Sequence, residues 1–219
     1  MSVAAAAEAI ATDGVVAIVR LDDLSGAVPL TEALGRGGIR AIEFTFTNRL
    51  AARVIESVRD ALGDRTLVGA GTVLDAETAR IAILAGAEFV VTPVMSLQVI
   101  EMCQRYAIPT VIGAFTATEI LAAWQAGANF VKVFPASAGG PRYLKDVRGP
   151  LPQVRLIPTG GVSKDNAAAF IAAGAAAVAV GSNLVDPKLV RAGDWDALES
   201  RAGELIDIVR VARGGRTAE

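Results

Sequence analysis

Residues 125–136 read "QAGANFVKVFPA", and this stretch decides the fold class. A helix-patterned segment ends in "AGA", and the apolar run "NFVKVFP" follows it at 129–135. Glycine at a helix end, followed by a short apolar run, is typical of a helix leading into a strand that is buried on both faces. The same "AGA" step precedes the apolar runs at 87–93 and 176–182. The pattern therefore indicates a repeated helix–strand unit.

The whole chain of 219 residues follows this unit. Short apolar runs lie at 14–20, 39–45, 66–72, 87–93, 108–114, 129–135, 154–161 and 176–182. Segments with apolar residues at helical spacing lie between them, at 24–36, 50–62, 75–86, 96–106, 117–127 and 163–173. Several of these segments begin behind a possible N-cap, namely Ser25, Asp75, Ser96, Thr118 and Ser163.

Eight such units predict an α/β protein with a single-domain (β/α)8 TIM barrel over residues 1–219. An extra N-terminal helix (about 1–13) and a C-terminal helix (about 194–213) would flank the barrel, and about 214–219 would be a frayed tail. A doubly wound open sheet is the structural alternative.

Composition excludes several classes of function. The net charge is −2, no cluster of Lys and Arg stands out, and no run of 18 apolar residues exists, so we expect neither nucleic-acid binding nor a membrane span. The chain has no histidine, which excludes Ser–His–Asp triads and the usual zinc sites. We expect no metal and no cofactor. The one cysteine, Cys103, is compatible with a reducing cytosol and hence with a cytoplasmic protein.

Lys132 is the candidate nucleophile. It lies in an apolar run, where an ammonium group is costly and tends to lose its proton, and a neutral amine is nucleophilic. Glu43 ends the second run, and strands 2 and 6 lie across a barrel from each other, so the two side chains can point into one layer. A buried salt bridge is the alternative, but such pairs add little stability, so a catalytic pair is favoured.

Two glycine-containing loops form a second signal. "PTGG" follows strand 7 and "VGS" follows strand 8, and glycines there leave backbone N–H groups free to converge on an anion. Phosphate sites in barrels commonly occupy these two loops. The loops favour a phosphate or another oxyanion over simple tight turns, at the residues Thr159, Gly160, Gly161, Gly181 and Ser182.

Three other residues near strand ends are candidates. Arg20 either faces an anionic substrate or caps the barrel rim. Thr72 either donates to a carboxylate or caps the next helix. Phe134, two residues after Lys132, would shape the pocket.

At this point the chain resembles the 2-keto-3-deoxy-6-phosphogluconate/4-hydroxy-2-oxoglutarate (KDPG/KHG) aldolase family. The motifs that carry the resemblance span nearly the whole chain: "VVAIVRLDD", "GGIRAIEFTFT", "LVGAGTVLD", "AGAEFVVTP", "GANFVKVFPAS", "IPTGGVS" and "AVGSNLV". The most specific are "IEFTF" and "VKVFPA". The resemblance implies a metal-free class I aldolase on a (β/α)8 barrel, assembled as a homotrimer. Its substrate would be a 2-keto-3-deoxy-6-phospho sugar acid, cleaved reversibly to pyruvate and glyceraldehyde 3-phosphate.

The resemblance also implies roles for the motif residues. Lys132 would form a Schiff base with pyruvate, and Glu43 would move protons through a water. Thr72, with the backbone of Gly71, would hold the pyruvate carboxylate.

The aldehyde half would lie among the remaining motif residues. Gly160, Gly161 and Ser182 would hold its phosphate, and Pro93 and Phe134 would line the pocket.

The chain departs from the family pattern at the pocket rim. Thr47 stands where the family often has an arginine that helps bind the carboxylate, and Arg20 or, less favourably, Arg49 would replace it. Residues 112–113 are Ile–Gly where Pro–Gly is usual, and Val94 stands where a smaller or polar residue is common. The identity of the aldehyde is therefore the property that follows least directly from the family resemblance.

Three alternatives to a KDPG-cleaving enzyme remain. The same mechanism could act on 4-hydroxy-2-oxoglutarate or 2-keto-3-deoxy-6-phosphogalactonate. A phosphate-ligand isomerase could use Glu43 as its sole base, with Lys132 electrostatic and no Schiff base. A non-catalytic oligomeric or binding protein on the same barrel would show no turnover.

Overall fold

Eight parallel strands form the centre of the structure, a computed structural model that describes residues 2–214. The strands pair in the order β7-β6-β5-β4-β3-β2-β1-β8, and a parallel bridge between Thr159 and Ala179 joins the carboxyl ends of β7 and β8. The strand order follows the chain around a closed ring, without the reversal that marks a doubly wound sheet. The predicted (β/α)8 barrel is confirmed, and the open-sheet alternative is wrong.

The strands are β1 (Val15–Val19), β2 (Ala41–Thr45), β3 (Leu67–Gly71), β4 (Phe89–Val91), β5 (Thr110–Ala114), β6 (Phe130–Val133), β7 (Leu156–Pro158) and β8 (Val178–Val180). The helices are α1 (Val3–Asp13), α2 (Ala27–Arg36), α3 (Ala51–Leu62), α4 (Ala76–Leu84), α5 (Leu97–Arg105), α6 (Ala117–Gln125), α7 (Gly140–Arg148), α8 (Lys164–Ala172), α9 (Pro187–Ala192) and α10 (Trp195–Gly214). Two short 3-10 turns lie at Gly63–Arg65 and Ala136–Ala138.

Every predicted strand is present, although each is shorter than its apolar run. The expected terminal helices correspond to α1 and α10, whereas α7 and α9 were not among the predicted segments. The frayed tail expected at about 214–219 lies outside the described residues, apart from Gly214 at the end of α10.

Three of the five predicted N-caps are confirmed, because the side chains of Asp75, Ser96 and Ser163 accept hydrogen bonds from the first turns of their helices. The other two were wrong. The cap of α2 is Gly26, the residue after Ser25, and it makes no side-chain bond. The cap of α6 is Thr116 rather than Thr118, because Thr116 forms a reciprocal capping box with Glu119.

Side chains alternate between two cores. The inner core fills the barrel and includes Val16 and Ile18 of β1, Ala41 of β2 and Phe130 of β6. Residues between these positions, such as Ile42, pack outward against the helices. Since successive side chains of a strand point to opposite faces, Glu43 and Lys132 must point inward with Ala41 and Phe130.

The N-terminal helix belongs to the inner core. Ala6, Ala7 and Ile10 of α1 pack against the barrel interior. Arg213 of α10 donates hydrogen bonds to the carbonyls of Ala11 and Thr12, at the end of α1. The active-site chemistry is therefore expected at the other, carboxyl end of the strands. No helix within residues 2–214 is long and apolar enough to cross a membrane.

Candidate active site

Lys132 and Glu43 face the barrel interior from opposite walls. Each is the third residue of its strand, and β2 and β6 are four strands apart in the ring of eight. Lys132 is 3% exposed and Glu43 is 1% exposed. Lysine and glutamate are almost never buried to this degree unless they are paired.

The two groups nevertheless have no direct protein partner among residues 2–214. No ion pair within 4 Å and no hydrogen bond involves the amine of Lys132 or the carboxyl of Glu43. The aromatic neighbour of the amine is the ring of Phe134, whose centroid lies 5.3 Å from Nζ. Since burying unpaired charges costs several kcal/mol, this arrangement indicates space kept for a ligand rather than a stabilising salt bridge.

Two glycines make the room around these side chains. A Cβ on Gly71 would lie 2.7 Å from Oε1 of Glu43, so only glycine leaves that carboxyl in its position. Gly113 pairs in register with Lys132, and a Cβ there would lie 2.2 Å from the carbonyl carbon of Pro93. The Ile–Gly sequence at 112–113 thus keeps the glycine that lets the chain after β4 approach the wall beside Lys132.

Burial shifts both groups toward their neutral forms. It raises the pKa of the Glu43 carboxyl above its ordinary value, and the positive charges of Lys132 and Arg20 oppose that rise. Burial also lowers the pKa of the Lys132 amine. The negative charge of Glu43 opposes this decrease, and the positive charge of Arg20 adds to it. Burial therefore favours the neutral, nucleophilic form of the amine and the protonated form of the carboxyl in one layer of the barrel.

A cavity of about 220 Å³ opens at the amine. Eight predicted site residues line it: Arg20, Lys132, Phe134, Thr159, Gly160, Gly161, Gly181 and Ser182. Five residues that the sequence analysis did not select also line it: Ile18, Val162, Ala179, Asn183 and Val185. A larger groove of about 620 Å³ lies beside it and shares Arg20, but it contains no lysine and neither of the glycine loops.

Three of these five residues carry a signal in the sequence that could have identified them. Ile18 and Ala179 belong to the inner core, so strand alternation could have found them. Asn183 directly follows the "VGS" motif, and an amide beside an anion loop is a usable signal.

The loop after β7 presents a row of backbone donors. Three of its carbonyls are engaged from one side: Thr159 O accepts from Ala136 N, Gly160 O from Ser137 N, and Gly161 O from the amide of Asn166. A trans peptide points its N–H opposite to its C=O, so the next three N–H groups are directed away from those partners. They belong to residues 160–162, which line the cavity.

The N–H groups of Gly161 and Val162 have no acceptor within residues 2–214, and neither have those of Gly181 and Ser182. Gly160 and Gly161 have φ values of 88° and 79°, which side chains other than glycine rarely adopt. The two loops together form an end of the cavity that can bind an anion.

Arg20, and not Arg49, faces this cavity. The Arg20 guanidinium lies 3.5 Å from Oγ1 of Thr72, whereas Arg49 is exposed and lines none of the cavity. Thr72 has a φ of 57°, which is rare for a β-branched residue and is typical of strain kept at functional sites. Thr47 is exposed, and its hydroxyl lies 2.9 Å from that of Thr45.

Five predicted residues do not line the cavity: Glu43, Thr47, Gly71, Thr72 and Pro93. Within residues 2–214 no group of three or more Cys, Asp and Glu side chains could hold a metal ion. The arrangement can bind an anion at the glycine loops while a neutral amine attacks a carbonyl and a carboxyl carries protons.

Comparison with known proteins points to one family. The family model described as KDPG and KHG aldolase matches residues 7–201. The 2-dehydro-3-deoxy-phosphogluconate aldolase of Treponema pallidum is 37% identical over 205 residues, covering 93% of this chain and 97% of that protein. The KHG/KDPG aldolase of Escherichia coli K12 is 34% identical, covering 92% and 95%.

A solved structure gives the same result. The crystal structure of a KDPG aldolase from Legionella pneumophila, with pyruvate captured at low pH as a covalent carbinolamine intermediate, superposes with a TM-score of 0.85. The two sequences are 29% identical, and the match covers 91% of this chain and 97% of that one.

Proposed function

The chain belongs to the KDPG and KHG aldolase family, and we propose that it uses Lys132 as a Schiff-base lysine to cleave a 2-keto-3-deoxy-6-phospho sugar acid. The enzyme is a class I aldolase, a lyase, and the products are pyruvate and glyceraldehyde 3-phosphate. The observation that carries the proposal is a buried lysine with no protein partner among residues 2–214, at the base of a cavity that ends in free backbone donors.

The first half of the reaction builds an electron sink. The neutral amine of Lys132 attacks the C2 carbonyl of the substrate and gives a carbinolamine. Glu43, whose pKa is raised by burial, donates a proton to the departing hydroxyl, and water leaves. The resulting iminium is a cation two bonds from C4, and its positive charge favours the ionised form of Glu43.

The second half breaks and repairs carbon bonds. The Glu43 carboxylate takes the proton of the C4 hydroxyl, directly or through a water, while the C3–C4 electrons move onto C3 to give an enamine and the aldehyde. Glu43 then returns that proton to C3. Water hydrolyses the iminium, which frees pyruvate and the Lys132 amine and gives the proton back to Glu43. One water leaves and one enters, so the cycle balances.

The site offers a separate set of hydrogen-bond donors for each anionic group of the substrate. Arg20 and Thr72, with the backbone of Gly71, support binding of the C1 carboxylate. The loops at residues 160–162 and 181–182 support binding of the phosphate. The row of free donors favours a phosphorylated acid over 4-hydroxy-2-oxoglutarate, which carries a second carboxylate instead. It does not distinguish KDPG from its galactonate epimer.

The same proposal includes one catalytic domain over the chain, a homotrimer and a cytoplasmic location. Apolar side chains on the neighbouring helices α4 and α5 support assembly, since Ile81, Leu84 and Leu97 are each at least half exposed. Light scattering on the eluting peak of a gel-filtration column measures the number of chains. A monomer at micromolar concentration would contradict the trimer without affecting the catalytic proposal.

The decisive test is borohydride reduction in the presence of pyruvate, followed by peptide mass mapping. Reduction converts the iminium to a stable amine, so the peptide that contains Lys132 should carry the adduct. The variant Lys132→Met should carry none, while Lys145→Met, at an exposed lysine of α7, should behave as the wild type.

A folded wild type without an adduct on Lys132 would contradict the Schiff base and favour an isomerase in which Glu43 acts alone. Equal adducts on Lys132 and Lys145 would indicate nonspecific alkylation and would also contradict the proposal. With the adduct established, kcat/KM for the phosphorylated acids and for 4-hydroxy-2-oxoglutarate identifies the preferred substrate.

A further inference from the structure

Asn183 joins the two anion-binding loops. It follows Gly181 and Ser182 after β8, and its Nδ2 donates a 2.8 Å hydrogen bond to the carbonyl of Val162 in the loop after β7. Asn183 also lines the 220 Å³ cavity. Its two neighbours belong to the predicted anion-binding motif "VGS", whereas Asn183 lies just outside that motif.

The bond fixes the distance between two sets of donors. The N–H groups of residues 160–162 belong to one loop and those of Gly181 and Ser182 to the other. The loop after β7 is already held from its other side by Ser137 and Asn166. The backbone bridge between Thr159 and Ala179 joins the ends of β7 and β8, and within residues 2–214 Asn183 is the side chain that adds a hydrogen bond between the loops beyond that bridge.

The chemistry of the amide suits a second contact. A side-chain amide nitrogen carries two N–H groups, and the contact with Val162 uses one. Asn183 Nδ2 has no other acceptor within residues 2–214. Because the side chain lines the cavity, its remaining N–H can reach an anion held by the backbone donors. Hydrogen bonds to charged groups are about twice as strong as neutral ones.

We propose that Asn183 is a positioning residue that holds the two loops at phosphate-binding distance, supplies one further N–H to the phosphate, and so sets the preference for phosphorylated substrates. This inference rests on the proposed function, because it concerns the phosphate end of that site. The hydrogen bond of Asn183 lies between the two anion-binding loops, so we expect it to affect binding of the phosphate and not the covalent step at Lys132.

Two substitutions and one control test the inference. Asn183→Ala removes both N–H groups, and Asn183→Asp keeps the size but places a carboxylate against the Val162 carbonyl and the phosphate. Asn129→Ala is the control, since Asn129 Oδ1 accepts from Thr110 N at the amino end of β5, on the far side of the barrel. The readouts are KM and kcat for the phosphorylated acid and for 4-hydroxy-2-oxoglutarate, and calorimetric binding of inorganic phosphate.

We expect Asn183→Ala to raise KM for the phosphorylated acid roughly 10-fold, as for a lost bond to a charged group. It should weaken phosphate binding by a similar factor and leave kcat and the unphosphorylated substrate within about twofold. Asn183→Asp should lose more, because like charges repel. Asn129→Ala should lower only the melting temperature.

Phosphate binding by Asn183→Ala equal to that of the wild type would overturn the inference, as would equal losses for both substrates. The proposed function fails separately, by absence of the pyruvate adduct on Lys132. The phosphate measurement needs no turnover, so it decides the role of Asn183 in either case.

Discussion

Gly71→Ala should slow the proton transfers of Glu43 without changing how much Schiff base forms at equilibrium. The new methyl would lie 2.7 Å from Oε1 and 2.8 Å from Cδ of Glu43, whereas ordinary contact begins at 3.4 Å. The Glu43 carboxyl must therefore retreat by about 0.7 Å, the difference between 3.4 and 2.7. The φ of Gly71 is not positive, so alanine fits its backbone, and the side chain of Glu43 takes up the change.

The expected loss follows from that displacement. A catalytic group misplaced by about 1 Å costs on the order of 100-fold in rate, so we expect proton transfer to fall by about 10- to 100-fold. The amine of Lys132 is on the opposite wall and keeps its position, so the amount of iminium at equilibrium with pyruvate, trapped by borohydride after prolonged incubation, should change little. The loss should fall on kcat.

The assay isolates the step that Glu43 performs. Exchange of the pyruvate methyl protons in D₂O, followed by NMR, requires formation of the enamine and its protonation on C3, but no aldehyde. Borohydride trapping on the same samples reports the iminium alone. The exchange rate divided by the amount of trapped iminium, for Gly71→Ala relative to the wild type, measures the kinetic effect of moving the carboxyl.

Gly69→Ala is the matched control, because it adds the same methyl to the same inner face of β3. There the Cβ would lie 2.4 Å from the Phe89 ring, so the variant should lose stability without a selective loss of exchange. Exchange in Gly71→Ala at the wild-type rate, with the protein folded, would refute the assignment of proton transfer to Glu43. Equal losses of trapping and exchange would place the damage at Lys132 instead.

Three further results are expected. The double variant Lys132→Met, Glu43→Leu should be inactive and more resistant to urea by about 1–4 kcal/mol, because apolar side chains of similar volume replace two buried ionisable groups; a less stable double variant would contradict this reasoning. The single variant Lys132→Met should gain most stability at low pH. The folded state holds the pKa of Lys132 below the ordinary 10.5 and so binds fewer protons than the unfolded chain, and the difference in unfolding free energy from the wild type should shrink as pH approaches 10.5. Burial raises the pKa of Cys103 to about 12, so a thiol reagent at pH 7 should label it only after unfolding; rapid labelling of the folded protein would contradict its placement.

The local patterns of the sequence were sufficient for the barrel and for the inward direction of Glu43 and Lys132. Apolar runs with helical segments between them predict eight strand–helix units without knowledge of any long-range contact. Alternation along a strand then sets the direction of Glu43 and Lys132, because the side-chain period of 2 is a property of the backbone itself. Gly160 and Gly161 could also be selected from the sequence, since their need for positive φ is local.

The sequence pattern gave a wrong helix start where two possible N-cap residues lie close together. Thr118 was predicted to begin α6, but Thr116 has Glu119 three residues later and forms the capping box. The helices α7 and α9 were missed next to glycine- and proline-containing segments.

Only the tertiary structure decided how the polar groups of different loops meet. Arg20 rather than Arg49 faces the cavity because β1 delivers it beside Thr72, 52 residues away in the chain. The bond from Asn183 to Val162 depends on the closure of β8 against β7. Long side chains and loops have many conformations of similar energy, and packing between distant segments selects one of them. The sequence by itself determined which residues point into the barrel, and the tertiary structure determined which of them share a ligand-sized cavity.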